Sequence, residues 1–395
     1  MSHRQEFFRL LGLPSTDSLA IEIDRAEGVY LYSMDGKKYL DLCSGVSVSN
    51  LGHNNPRIIK AIEAQIHKYL HLMVYGELIQ SPQVELAKKL TDVLPSSLNS
   101  VYFVNSGSEA NEGALKLAKR YTGRTEIIAF KNAYHGSTQG VLSVLGNENM
   151  KRAFRPLIPD IRFLEFNNID QLEQITEKTA GVIVEPVQAE AGVILPENDF
   201  LKHLRKRCNQ TGALLIFDEV QTGLGRTGEL FAFQRYDVVP DILTLAKAFG
   251  GGMPIGAFIA DKKIMDSLKY NPPLGHITTF GGHPVSAAAA LESLNIITET
   301  ELYKEAQHKG EIFKERLQNN PKVKNIHGIG LLWAVELEDE KQAARFINIA
   351  KEKTFLITDR FLFKPNAFRI GPPLNISFSE IQDAIQRIEQ TLDLL

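Results

Sequence analysis

The sequence is short of cysteine, of net charge and of long apolar runs, and each shortage narrows what the chain can be. Its two cysteines, Cys43 and Cys208, lie in dissimilar surroundings within 395 residues. That is no disulfide framework, so a reducing compartment is expected. The 44 basic residues nearly balance 47 acidic ones, leaving a net charge of −3. Nothing in that balance marks a surface for nucleic acid or an anionic membrane. No uninterrupted apolar run approaches the roughly 18 residues of a membrane span. The first ten residues break their apolar positions with Arg4, Glu6 and Arg9 instead of forming a signal segment. His, Cys and carboxylate residues show no metal-ligand spacing, so no metal is expected. There is no internal repeat, low-complexity tract or obvious linker. A cytoplasmic globular protein is the expectation.

What is present is enough apolar material, 44% of the residues, for a large core in two or three structural units. Residues 28–36 read as a strand running into an Asp-Gly turn, and Lys38–Leu42 as its return. Pro56 opens a helix carrying Ile58, Ile59, Ile62 and Ile66. From about 82 to 260, strand-like and helix-like segments alternate, the pattern of a mostly parallel sheet covered by helices. The candidate strands are Val101–Asn105, Ile127–Phe130, Gly181–Glu185, Ala213–Phe217, Ile242–Leu245 and Gly256–Ala260. Candidate helices are Pro82–Leu94, Glu109–Tyr121 and Phe200–Gln210, then an alanine-rich helix over 284–299. A second unit follows with a helix near 301–318, a strand in Gly330–Leu337, a helix near 340–352, Phe368–Ile370 and a last helix from Ser379.

Two of the buried strands end in ionisable groups. Ala213–Phe217 runs into Asp218 and Glu219, and Ile242–Leu245 into Ala246, Lys247 and a glycine run, 29 residues later. In open α/β sheets ligands bind at such strand ends. A desolvated lysine is a carbonyl-capturing nucleophile, and a buried carboxylate can hold positive charge on a ring nitrogen. That pair suits pyridoxal phosphate, while an Asp–Lys ion pair is the competing reading of the two residues alone.

Other stretches supply partners. Asn105–Glu112 follows a strand and opens a helix, whose free N–H groups make an anion site. Gly107 allows close backbone approach there, and Ser106 and Ser108 add hydroxyls. An ordinary serine cap, with Glu112 completing a capping box, explains the same residues. Asn132–Thr138 ends the next strand and offers Tyr134 or His135 to stack on a flat cofactor. Thr278–Pro284 is a second glycine-rich loop before a helix. Gly223–Gly228 matches the dinucleotide glycine pattern but follows Asp218–Gln221 instead of the strand itself, with no long helix before Pro240, so the nicotinamide reading is rejected. Arg369, on an apolar stretch, needs a carboxylate from the protein or a substrate, and Glu190 is one internal candidate.

Taken together, these motifs resemble the class III aminotransferases, pyridoxal-phosphate enzymes of fold type I that include ornithine, acetylornithine and 4-aminobutyrate transaminases. The resemblance runs from about Gly28 to the C-terminus through Tyr39–Leu42, Leu51–His53, Ser106–Glu112, Tyr134–Gly136, Glu185–Gln188, Asp218–Gly223, Ala246–Ala248, Thr279–Gly282 and Pro372–Pro373. It implies an α/β fold with a seven-stranded, mostly parallel sheet and a smaller α+β domain. The corresponding division is an N-terminal arm at 1–55, a large cofactor domain at 56–296 and a small domain at 297–395. It further implies that Lys247 forms the internal aldimine and moves the proton, that Asp218 pairs with the ring nitrogen, and that Gln221 contacts the phenolic oxygen. Gly107 and Ser108 would bind the phosphate, joined by Thr279 from the partner of a homodimer. Tyr134 would stack on the ring, with Ser106, His135 and Glu185 completing the surround.

On the same resemblance, Arg369 would grip the carboxylate of glutamate or 2-oxoglutarate, and Glu190 would neutralise it when an ω-amine donor is bound. Two positions depart from the family pattern: Ser137 stands where ornithine and acetylornithine members usually have an arginine for a second carboxylate, and Val46 where ornithine aminotransferases have a tyrosine. The expected reaction moves an amino group from an ornithine- or acetylornithine-like donor to 2-oxoglutarate. Diamine, 4-aminobutyrate or lysine ω-transamination, with 2-oxoglutarate or pyruvate, is the alternative, followed by a mutase or decarboxylase. A regulatory cofactor binder is disfavoured because Lys247, Asp218 and Arg369 are all intact.

Overall fold

The short apolar runs of the central chain assemble into one sheet. A computed structural model, which describes residues 2–395, contains seven strands there. They are β1 (Ser100–Val104), β2 (Glu126–Phe130), β3 (Ile161–Leu164), β4 (Thr179–Val184), β5 (Leu214–Asp218), β6 (Ile242–Leu245) and β7 (Gly256–Ala260). Their spatial order is β1-β7-β6-β5-β4-β2-β3. All neighbours are parallel except at β7, which is antiparallel to both β1 and β6. Every residue of β4, β5, β6 and β7 is buried, which is why these strands read as continuous apolar runs without alternation. β3 had no such signal. It is an edge strand, paired only with β2, and exposes Arg162 in its middle.

The helix after β1 spans Gly107–Thr122. Ser106 caps it, its hydroxyl accepting the N–H of Glu109 at 3.1 Å, and Gly123 ends it at a left-handed φ of 69°. The capping box with Glu112, offered by the competing reading, does not form. Glu109 instead accepts the N–H of Asn105 at 2.7 Å, while Glu112 turns sideways to accept the Thr138 hydroxyl at 2.8 Å and the Val141 N–H at 3.1 Å. On the other face of the sheet, helix Pro284–Thr300 buries Ala287, Ala289, Ala290 and Leu294 against helices Pro56–Ile66 and Ser81–Val93. Its small side chains let three helices crowd together.

A second core lies around a three-stranded antiparallel sheet, Asn325–Ile329, Leu332–Glu336 and Ala367–Ile370, backed by helices Ala306–Leu317 and Phe378–Asp393. The N-terminal strands Ile23–Glu27, Tyr30–Ser33 and Lys38–Asp41 join it through Leu356–Ile357, which pairs in parallel with Leu40 and Asp41. Val29, Leu40 and Leu42 are buried in the same cluster as Phe368 and Ile370.

The Gly223–Gly228 stretch is a strut between the two cores. Arg226 is fully buried and donates to the carbonyls of Leu331 at 2.8 Å and Pro372 at 2.5 Å, and to Asn50 Oδ1. Only a five-residue helix, Ala232–Tyr236, follows. No helix among the described residues is long and apolar enough to cross a membrane.

Candidate active site

β5 and β6 lie side by side in register, with Asp218 opposite Thr244. Asp218 and Lys247 therefore emerge together at the C-terminal edge of the sheet. The same edge receives Ser106–Ser108 after β1, Tyr134–Gly136 after β2 and Glu185 after β4. A cavity of about 440 Å³ opens there, lined by Ser106, Gly107, Ser108, Tyr134, His135, Glu185, Asp218, Gln221 and Lys247. A groove of about 570 Å³ beneath the N-terminal helix is larger but is lined by none of these residues. Thr279 lies elsewhere: it is exposed, and its hydroxyl sits 3.2 Å from that of Tyr75.

Asp218 is the best-supported group in the cavity. Oδ2 accepts the Asn111 side-chain N–H at 2.8 Å and sits 2.8 Å from His135 Nδ1, while Oδ1 accepts the Val220 N–H at 2.9 Å. Asn111 is itself oriented, its Oδ1 accepting the Thr244 hydroxyl at 2.7 Å and its amide donating to the His135 carbonyl at 2.8 Å. The carboxylate is thus aimed into the cavity by His135, which lines it, and by Asn111 and Thr244, which do not. His135 is spent on this network through Nδ1, and Tyr134 lines the cavity beside it.

Lys247 begins a short 3₁₀ turn with φ of 51°, a costly conformation for a side chain with a Cβ and one that collects at functional sites. Its Nζ donates to Gln221 Oε1 at 2.8 Å. Burial lowers its pKa below the ordinary 10.5, opposed by the negative charge of Glu190 and assisted by the positive charge of Arg369. Burial likewise pushes Glu185 well above the usual carboxylate range, with Asp218 adding to the effect, although Glu185 accepts the Tyr134 N–H at 3.0 Å. Buried polar atoms with no partner face this region: His135 Nε2 and Gln221 Nε2. Unmet hydrogen-bonding capacity of this kind in a cavity marks a place for a polar ligand.

At the other end, Gly107 and Ser108 begin the helix with N–H groups that have no intrahelical acceptor. Ser108 Oγ accepts the Ser137 N–H at 3.1 Å, which draws the Gly136 loop over the helix start. Glycine is required at this crossing. A Cβ on Gly107 would meet Val220 at 2.8 Å, and one on Gly136, where φ is +125°, would meet Ser108 Oγ at 2.0 Å.

Arg369 and Glu190 are buried and paired, Nη2 donating to Oε1 at 2.8 Å. Burial opposes both charges. Arg369, with help from Lys247, nevertheless holds Glu190 below its usual pKa. The charges of both Glu190 and Arg369 act on Lys247. Ser137 is exposed beyond the cavity. Val46 is half-buried in a run of left-handed residues, Ser44 to Ser47, and its neighbour Val48 supplies the apolar wall. Asn111 and Thr244 were not legible as site residues. The one signal was a polar side chain on the otherwise small and apolar inner face of the helix Gly107–Thr122.

Comparison with known proteins identifies the family. The family model "Aminotransferase class-III" matches residues 13–392. The chain belongs to the class III aminotransferases. This aminotransferase is 39% identical to the acetylornithine aminotransferase of Methanocaldococcus jannaschii over 384 residues, 94% of this chain and 93% of that one. It is 42% identical over 322 residues to the [LysW]-aminoadipate semialdehyde/glutamate semialdehyde transaminase of Sulfurisphaera tokodaii, 80% of this chain and 82% of that one. Among solved structures, an ornithine aminotransferase from Toxoplasma gondii, described with partial occupancy of PLP at its active site, superposes with a TM-score of 0.91. It is 29% identical, with 99% of this chain and 94% of that one covered. The fold is therefore that of the fold type I transaminases, and the protein is a transaminase.

Proposed function

We propose that the cavity holds pyridoxal 5′-phosphate and that the enzyme transfers an amino group from an ω-amine donor of the ornithine or acetylornithine type to 2-oxoglutarate. The observation that carries this reading is the convergence of Lys247, Asp218 and the Gly107–Ser108 helix start on one cavity that also holds unpartnered polar atoms. Bound there, pyridoxal phosphate supplies a ring that takes up the electron pair left when a proton departs the amine-bearing carbon. Lys247 Nζ, less basic than a surface lysine, would hold the cofactor and, once freed, carry that proton. Asp218, fixed by Asn111, His135 and Val220, would keep the ring nitrogen positively charged. Gln221 Nε2 would meet the phenolic oxygen, Tyr134 would cover one ring face, and the N–H groups of Gly107 and Ser108 would take the phosphate.

The Arg369–Glu190 pair would act as the substrate gate. Closed, it presents no free cation to an ω-amine donor; opened, it offers Arg369 to the carboxylate of glutamate or 2-oxoglutarate. Ser137 offers no cation for a second carboxylate, which favours an acylated or less polar far end; the acetylornithine aminotransferases among the relatives support the ω-amine class of the donor, not the chemistry of that end. A homodimer would complete the site. The segments carrying Tyr75 and Thr279 expose Leu78, Leu274, Ile277 and Phe280, and leave Ile79 96% exposed, an apolar patch that calls for a partner. Thr279 would then reach the partner's phosphate. A cytoplasmic location fits a soluble small-molecule transaminase of this kind.

A half-reaction screen tests the proposal. The holoenzyme is mixed with glutamate, alanine, ornithine, N-acetylornithine, lysine, putrescine or 4-aminobutyrate, and the cofactor's conversion to its amine form is followed by absorbance. Fast conversion by glutamate and by one ω-amine is expected. Conversion by alanine but not glutamate would move the acceptor to pyruvate, and silence across the panel would overturn the transaminase assignment of this site.

A further inference from the structure

Arg369 is held by more than its gate partner. Its Nε donates to Asp359 Oδ1 at 2.8 Å, and its backbone N–H donates to the Asp359 carbonyl at 2.9 Å. Its guanidinium carbon lies 4.4 Å from the centre of the Phe361 ring, and its own carbonyl accepts the Thr358 hydroxyl at 2.5 Å. These contacts come from one segment, 358–361, and none of them is made by Glu190, whose own carboxylate accepts the Leu362 N–H at 3.1 Å. The guanidinium therefore has three different edges. Nε is taken by Asp359, Nη2 by Glu190, and Nη1 is buried with no acceptor at all.

A planar guanidinium binds a carboxylate best through two parallel N–H groups. Once Glu190 withdraws, Nη1 and Nη2 form that fork, but only if the plane stays where it is. A guanidinium on a flexible stem, freed of its one carboxylate, would otherwise turn. Asp359 prevents this, because its bond uses the edge that the substrate does not need. We propose that Asp359 is a positioning residue, which fixes the plane of Arg369 so that Glu190 alone moves and the vacated fork receives the substrate carboxylate. This rests on the reading of Arg369 as the carboxylate receptor of a transaminase.

The test compares two half-reactions of the holoenzyme in Asp359→Leu and Asp359→Asn. Glutamate needs the fork, whereas N-acetylornithine reacts with the gate closed. Leucine removes the acceptor; asparagine keeps an oxygen for Nε without the charge. For Asp359→Leu, losing a hydrogen bond between charged groups predicts a rise of about tenfold or more in the glutamate KM, with kcat within about threefold. Binding of glutarate, an unreactive dicarboxylate, measured by calorimetry on the same protein, is expected to weaken in parallel. The N-acetylornithine half-reaction stays within about threefold in both variants, and Asp359→Asn stays within about threefold for glutamate as well. An unchanged glutamate KM in Asp359→Leu overturns the inference. So does an equal fall in both half-reactions, which would make the residue structural, or an asparagine variant as impaired as leucine. Wild-type enzyme that converts N-acetylornithine but neither reacts with glutamate nor binds glutarate would remove Arg369 as receptor and this inference with it. Wild-type enzyme inert to both amines would overturn the transaminase reading itself.

Discussion

Replacing Asp218 by asparagine is the perturbation that separates shape from charge at this site. The side chain keeps its outline, and its remaining oxygen can still accept the Val220 N–H now bound at 2.9 Å. The new amide, however, faces Asn111, whose N–H is already aimed at this position from 2.8 Å and cannot be turned without breaking the Thr244 hydrogen bond. His135 adapts, since its Nε2 is unpartnered and the ring can carry its proton there instead. One donor-to-donor conflict in a buried place costs about 1–3 kcal/mol of stability. The effect on turnover is larger, because the cofactor's ring nitrogen would lose its buried counter-charge, a loss of about 3–5 kcal/mol. At 1.36 kcal/mol per decade, the lower bound already exceeds about a hundredfold in kcat/KM. The assay is steady-state transamination with saturating cofactor, accompanied by circular dichroism to confirm the fold. A loss smaller than about tenfold would refute the claim that Asp218 serves the ring nitrogen.

Further predictions concern the gate, the glycine crossing and the lysine. Glu190→Ala leaves Arg369 anchored by Asp359 with Nη2 vacated, so the ratio of glutamate to ω-amine half-reaction rates should rise by about tenfold; an unchanged ratio in stopped-flow traces contradicts the gate. Gly136→Ala forces a Cβ at positive φ against Ser108 Oγ, a strain of about 1–3 kcal/mol. Cofactor affinity measured by fluorescence quenching should fall, and wild-type affinity in that variant would deny the crossing a role in holding the phosphate. In the cofactor-free protein, the lowered pKa of Lys247 predicts that its neutral, reactive form is present at lower pH than in surface lysines. Reductive methylation read by peptide mass should therefore inflect below 10.5 at Lys247, and an inflection at or above that value opposes the burial argument.

Much of this was legible in the sequence because burial on both faces leaves an unmistakable pattern. β4, β5, β6 and β7 are mostly apolar runs, broken within only by Thr244 in β6, and the polar residues that end β5 and follow β4 and β6 mark the edge where the cavity opens. β3 was missed because an edge strand with Arg162 exposed carries neither that signal nor clean alternation. The N-terminal helix His3–Leu10 buries no residue and so had no apolar face to reveal it. In the site, the residues that line the cavity came with motifs, whereas Thr244 and Asp359 act one layer behind and came with none, and Asn111, inside the Ser106–Glu112 motif, carried no sign of its role. Asp359 meets Arg369 because the chain turns back between them, Arg360 bridging Phe368 in antiparallel register, and no motif marks that return.

The most direct test of the central claim is chemical. The protein is loaded with pyridoxal phosphate, reduced with borohydride, digested and mapped by mass spectrometry, with Lys247→Ala treated in parallel. The account predicts one phosphopyridoxyl group, on Lys247, absent from the variant, which still binds cofactor but no longer turns over. A label on another lysine, or an unlabelled Lys247 in loaded protein, would contradict it.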